Sequence, residues 1–254
     1  MVFDKSMIVA RADLGMAMKV RYVKYGLIGM GALGPAMALL LVVSLAGLGA
    51  PAEVLAFMSP MIAAVIGMMS IIPASLISAN ALVGEREQNT LEPLLATPLT
   101  DTELLVGKLL SSFIPSMALL IAGVVVAEVG SYILLLAMGL TPFLIIDLSG
   151  FVLLLAAAPA MILAVTSVMI LLSGRVKRVY EAYQTSGAII LVFMIPMILP
   201  MTALSDTGVG DPAAVQALSW FSTLVTLLIA VVLMVVTWSL ALRRFNRDTM
   251  VSSV

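Results

Sequence analysis

Three groups of side chains in this sequence have the types and spacing to do chemistry. Glu128 and Asp147 are carboxylates beside long apolar runs. A charge at the centre of a bilayer costs about 2.5–3.5 kcal/mol on insertion scales, so an acid held there serves a proton or a substrate. Met194, Met197 and Met201 stand at i, i+3 and i+7, with Pro196 and Pro200 interleaved. Soft thioethers in such a row suit copper(I) or a path for varied hydrophobic ligands, and the same spacing also serves ordinary core packing. The third group is a charged insert, GEREQNTLEPLLATP from Gly84 to Pro98, which carries Glu85, Arg86, Glu87 and Glu92 between apolar runs.

Much chemistry is excluded. The chain has no His and no Cys, which removes the commonest general base, the usual metal ligands, H-E-x-x-H zinc sites and thiolate nucleophiles. A phosphate-cradling loop needs G-x-x-x-x-G-K-[ST]. The only Gly-Lys is Gly107-Lys108, followed by Leu109 and without the upstream glycine. Aspartate-rich prenyl-transfer motifs are absent too. The chain is expected to be no enzyme, with no cofactor or metal of its own. Its net charge of −1 gives no field for nucleic acid.

The elements that must position these groups are membrane spans. Hydrophobic residues make up 62% of the chain and charged ones 11%, where a soluble domain carries about a quarter charged. A helix needs roughly 20 apolar residues to cross the hydrocarbon core. The expected architecture is all-α and polytopic, one transmembrane domain over 1–254 with six crossings: Gly26–Leu48, Phe57–Val83, Lys108–Ala127, Gly150–Ser173, Gly187–Leu204 and Ser219–Leu242. The apolar stretch Glu128 to Ser149 either extends the third and fourth helices or lies in the interface. Residues 205–218 form an outer loop or short helices. The prolines of the fifth crossing invite a kink or break toward the outer leaflet, where a gate is conceivable.

Charge sets the orientation. With six crossings every Lys and Arg falls on one side: Lys5 to Lys24 before the first span, Arg86 and Lys108, Arg175 to Arg178, and Arg243 to Arg247. That bias marks the cytoplasmic side, so both termini are expected inside a plasma membrane. The opposite loops carry Glu53, Asp206 and Asp211, and Glu128 and Asp147 fall near that outer interface. They are either outer-edge acids or a substrate or proton site, and no Lys or Arg on that side offers a counter-charge. Trp220 and Trp238 bracket the last span about 27 Å apart at helical rise, suiting two interfacial belts. Before the first span, Met16, Val20, Val23 and Leu27 repeat at helical spacing, so residues 1–25 suit a helix along the cytoplasmic interface that bends into the membrane.

The insert is more structured than a minimal turn. Asn89 or Thr90 can cap a short helix with Glu92 in its first turn. Leu91, Leu94 and Leu95 form its apolar face, and Thr97-Pro98 ends it. Thr100 with Glu103 then makes a capping box for the third span. A short helix displayed this way suits a partner's groove or a connector lying on the headgroups.

The run E-R-E-x-x-T-L-E-x-L-L-x-T-P, followed by Gly107-Lys108, resembles the signature loop of ABC-2 type permeases, the membrane subunits of ATP-binding-cassette exporters. One position departs: the family usually has Gly before the Thr-Leu-Glu, where this chain has Asn89. The resemblance implies that the loop at 84–103 holds a coupling helix, with Glu85, Arg86, Glu87, Thr90, Leu91, Glu92, Leu94 and Leu95 docking on an ABC-type ATP-binding subunit that holds ATP and magnesium. It also implies a pathway shared with a second copy or a paralogue, and export as the direction. The alternative is an ion-coupled secondary transporter using Glu128 or Asp147, although no internal repeat supports it. Nothing in the sequence names a substrate.

Overall fold

The computed structural model describes residues 2–49, 54–55, 58–80, 99–173, 179–205 and 212–244. Among the described residues every regular element is helical. In chain order these are α1 (Val2–Lys19), α2 (Arg21–Gly47), α3 (Ser59–Ala79), α4 (Asp101–Ala137), α5 (Leu148–Val152), a π-helical turn (Leu153–Ala157), α6 (Ala158–Ser173), α7 (Val179–Ser205) and α8 (Pro212–Arg244).

Five of these stretches are long and apolar enough to cross a membrane: Arg21–Gly47, Ser59–Ala79, Asp101–Ala137, Leu148–Leu172 and Ala213–Ala241. The fifth expected crossing falls in α7, whose apolar portion Gln184–Leu199 is shorter. Helix α3 is the hub. In its apolar window 67% of residues are buried inside the protein, against 28% for α2 and α4 and 22% for α8. Ile62, Ile66 and Ile71 of α3 join Val42, Leu120, Met161, Val165 and Phe193 in one core, while Leu40, Ile121, Val125, Leu228 and Val235 face outward. An apolar exterior around a core of this kind is what lipid, not water, permits.

Several boundaries differ from those expected. The third crossing is expected over Lys108–Ala127, and its helix α4 starts upstream at Asp101, at the expected Thr100 capping box: the Thr100 hydroxyl accepts from the Glu103 amide at 3.2 Å, and the Glu103 carboxylate accepts from the Thr100 amide at 2.8 Å. It also continues past Ala127 to Ala137. Gly139, at φ +75, ends it with the amides of Gly139 and Leu140 donating to the carbonyls of Leu136 and Leu135, the Schellman arrangement that favours glycine. The stretch from Glu128 thus extends the third helix and then doubles back toward α5. Helix α7 runs unbroken through Pro196 and Pro200, so of the expected kink or break the break is absent. Residues 212–218 are the opening turns of α8, not separate outer helices.

Of the expected N-terminal face, Val23 and Leu27 are buried inside the protein and Met16 is 44% exposed. The chain leaves helical geometry at Val20, with φ −78 and ψ 115, and that break resets the helical phase between α1 and α2. The buried face of α1 is instead Ser6, Val9, Ala10, Asp13 and Ala17, packed on α4.

Candidate functional site

The insert residues Glu85, Arg86, Glu87, Thr90, Leu91, Glu92, Leu94 and Leu95 lie outside the described residues. Their attachments on both flanks are described. Upstream, the Tyr22 hydroxyl at the start of α2 donates to Asn80 Oδ1 at 2.6 Å, and Asn80 Nδ2 donates to the Leu76 carbonyl. Downstream, the foot of α4 is clamped to α1. Ser6 donates to the Glu103 carbonyl at 2.9 Å, Lys5 lies 3.8 Å from the Glu103 carboxylate, and Lys108 Nζ lies 3.3 Å from Asp13 Oδ2. The Asp13 and Lys108 side chains are 2% and 0% exposed. Burial pushes the Asp13 carboxyl above its ordinary range, and the Lys108 ammonium works against that rise. Gly107 permits the approach, since a Cβ there would stand 2.7 Å from Val9 Cβ and 2.9 Å from the Ser6 carbonyl oxygen.

At the far end of the bundle the two acids, with no counter-charge among the described residues, are held by hydrogen bonds. Glu128 accepts from the amides of Ile146 at 2.9 Å and Ile145 at 3.3 Å. Glu128 sits about 13 Å below the helix end at Ala137, so the returning loop lies back along α4. Its irregular backbone is tolerated there because protein groups satisfy it. Asp147 caps α5: it accepts from Ser59 at 2.7 Å, Ser149 at 2.6 Å and the Gly150 amide at 2.9 Å. Burial raises the Asp147 carboxyl, but the hydrogen bonds from Ser149, Ser59 and the neighbouring amides outweigh it and hold the group below its ordinary value.

Beside this corner is a cavity of about 10 Å³, lined by Ser149, Ser219, Ser222 and Thr223 on its polar side and by Pro60, Ala63, Leu153 and Met197 among its apolar walls. The structure therefore brings two of the candidates toward one place, Met197 at the wall and Asp147 one hydrogen bond behind it through Ser149. Pro196 is buried and Met194 partly buried, but neither lines the cavity. The side chains of Pro200 and Met201 lie outside the described ones, and Glu128, on α4, holds the returning loop and does not line the cavity. Among the described residues no three His, Cys, Asp or Glu side chains group to hold a metal ion.

Two features escaped the sequence reading. The Asp13–Lys108 pair joins positions 95 apart, which no local spacing reveals. The hydroxyl face of α8 was legible, because Ser219, Ser222, Thr223 and Thr226 stand at i, i+3, i+4 and i+7 and all are at most 2% exposed.

No curated protein matches the chain. The family model described as "ABC-2 family transporter protein" matches residues 14–208, a range that begins in α1 just past Asp13 and runs through the insert, the Glu128–Asp147 corner and α7. The chain belongs to the ABC-2 transporter family, as a multi-pass membrane protein of permease type.

Proposed function

We propose that this chain is the membrane subunit of an exporter driven by a separate ATP-binding subunit, which docks on the coupling loop at 84–103. The observation that carries the reading is the family match across that loop, joined to the way the loop's exit is built. A protein pressing on the loop would push directly on the capped and clamped foot of α4, and α4 reaches the outer corner. Helix α7, with 27 residues, is about 40 Å long and would supply a sixth crossing. Six crossings would put both termini and the basic segments on the cytoplasmic side of the plasma membrane, with α1 at that interface. Two copies, or this chain and a paralogue, would enclose the path between them.

The geometry favours this over an ion-coupled carrier. Glu128 and Asp147 are engaged by backbone amides and hydroxyls, the arrangement of acids that hold a loop and a helix end. The test is copurification from native membranes in mild detergent, with the native insert and with Leu91, Leu94 and Leu95 each changed to Asp. An ATP-binding subunit that accompanies the native chain and is lost from the variant supports the docking. Absence of any such subunit from the native preparation overturns it.

A further inference from the structure

The outer half of the bundle carries two acids and, among the described residues, no cation. The described basic residues lie in α1, at the start of α2, at Lys108 near the foot of α4 and at the C-terminal end of α8. Beside one of those acids is a hydroxyl-lined cavity whose protons can be accounted for. Ser149 donates its proton to Asp147 Oδ2, Ser219 donates to the Val215 carbonyl, and Thr223 donates to the Ser149 carbonyl at 3.4 Å. Each of these three hydroxyls has its proton directed at another acceptor, which leaves oxygen lone pairs for the space they line.

Ser222, 2% exposed, lines the same space and forms no hydrogen bond among the described residues. That is unusual in this protein. Ser70, Ser78, Thr166, Ser167, Ser219 and Thr237 all return their protons to the carbonyl four residues earlier, the ordinary refuge of a hydroxyl in an apolar helix. Ser222 does not take that refuge. Thr226 Oγ1 one turn on, and Ser116 Oγ on α4, are also buried without a partner, but neither lines the cavity. Ser222 does line it, so a ligand, ion or water there would supply the partner its hydroxyl lacks.

We propose that this cavity binds one small dehydrated monovalent cation of the sodium type, held by the oxygens of Ser149, Ser219, Ser222 and Thr223, with Asp147 supplying the charge from behind Ser149. The volume admits one particle of about the size of a water molecule. The donors are oxygen throughout, which suits hard cations and not soft ones. Four neutral oxygens and a single carboxylate one bond removed are too little for calcium, which takes six to eight oxygens with several carboxylates, or for magnesium, which needs near-ideal octahedral ligands. The attraction to Asp147 is strengthened by the low dielectric of the bundle interior. This site involves no residue of the coupling loop and holds whether or not an ATP-binding subunit docks there.

The purified chain, with any subunit that accompanies it, is unfolded thermally in sodium, lithium, potassium and choline chloride at equal ionic strength, with Trp fluorescence as readout. Ligand binding to the folded state alone raises the transition with concentration, so the midpoint is expected to climb with sodium and lithium and to stay flat with choline. In Ser222→Ala the half-saturating sodium concentration rises by roughly tenfold, the loss of one polar contact, while the midpoint in choline is unchanged. Thr237→Ala, which removes a self-satisfied hydroxyl elsewhere on α8, keeps the sodium response. Binding of radioactive sodium to the native protein, displaced by unlabelled lithium, gives the same answer if Ser222→Ala fails to fold. Equal midpoints in all four salts with no radioactive binding overturn the proposal and leave a water in the cavity. A sodium response that survives Ser222→Ala unchanged overturns it as well, by placing the ion elsewhere.

Discussion

Asp13 and Lys108 show how a charge pair can be essential to a joint without being a source of net stability. Both are removed from water, and the cost of that removal offsets much of their attraction, whereas deleting Lys108 strands the Asp13 carboxyl. Lys108→Met alone, without Asp13→Asn beside it, is expected to cost about 3–5 kcal/mol. The double variant should regain most of that loss, as read by thermal unfolding of the purified protein. Neither residue could be paired from sequence, because Lys108 reads there as a span boundary and Asp13 as one more charge in a basic flank. The outer acids were visible as positions of interest. Their partners were not, because Ile145 and Ile146 answer Glu128 with backbone amides that every residue type carries.

At the scale of elements, hydropathy located the five helices long and apolar enough to cross a membrane, while local hydrogen bonding set their ends. The capping box at Thr100 and Glu103 was legible from residue types three apart. The far end of α4 was not, since Glu128 breaks the apolar run but not the helix, and the stop comes from Gly139 in its positive-φ conformation. The phase error at Val20 has a similar origin: a periodic pattern can be read across a backbone break that leaves no mark in composition. The returning loop depends on Glu128 alone for two of its amides. Glu128→Leu leaves both without their acceptor, at about 1–3 kcal/mol for each buried group. Faster hydrogen exchange at Ile145 and Ile146 is the expected result, and Glu128→Gln, which keeps an acceptor oxygen, should show a smaller rise.

For the whole molecule, the separation of charge is the feature most fully written in the sequence, and it predicts which end faces which compartment. The absence of Cys makes this easy to check. In sealed vesicles, Lys24→Cys and Thr141→Cys are expected to react with a membrane-impermeant maleimide from opposite sides, with Thr141→Cys on the outside. Labelling of both from one side would contradict the six-crossing arrangement.

Helix α4 gives that two-ended molecule a mechanical character. It is tied at its foot to α1 and, about 40 Å further along, to the returning loop through Glu128. A tilt of about five degrees at the foot would carry Glu128 sideways by roughly 3–4 Å, if the rod stays straight. Between the two ties stands Pro115, which cannot donate to the carbonyl one turn below and so leaves the rod with one softer joint. The stiffness of that joint sets how far a push at one face of the membrane is felt at the other.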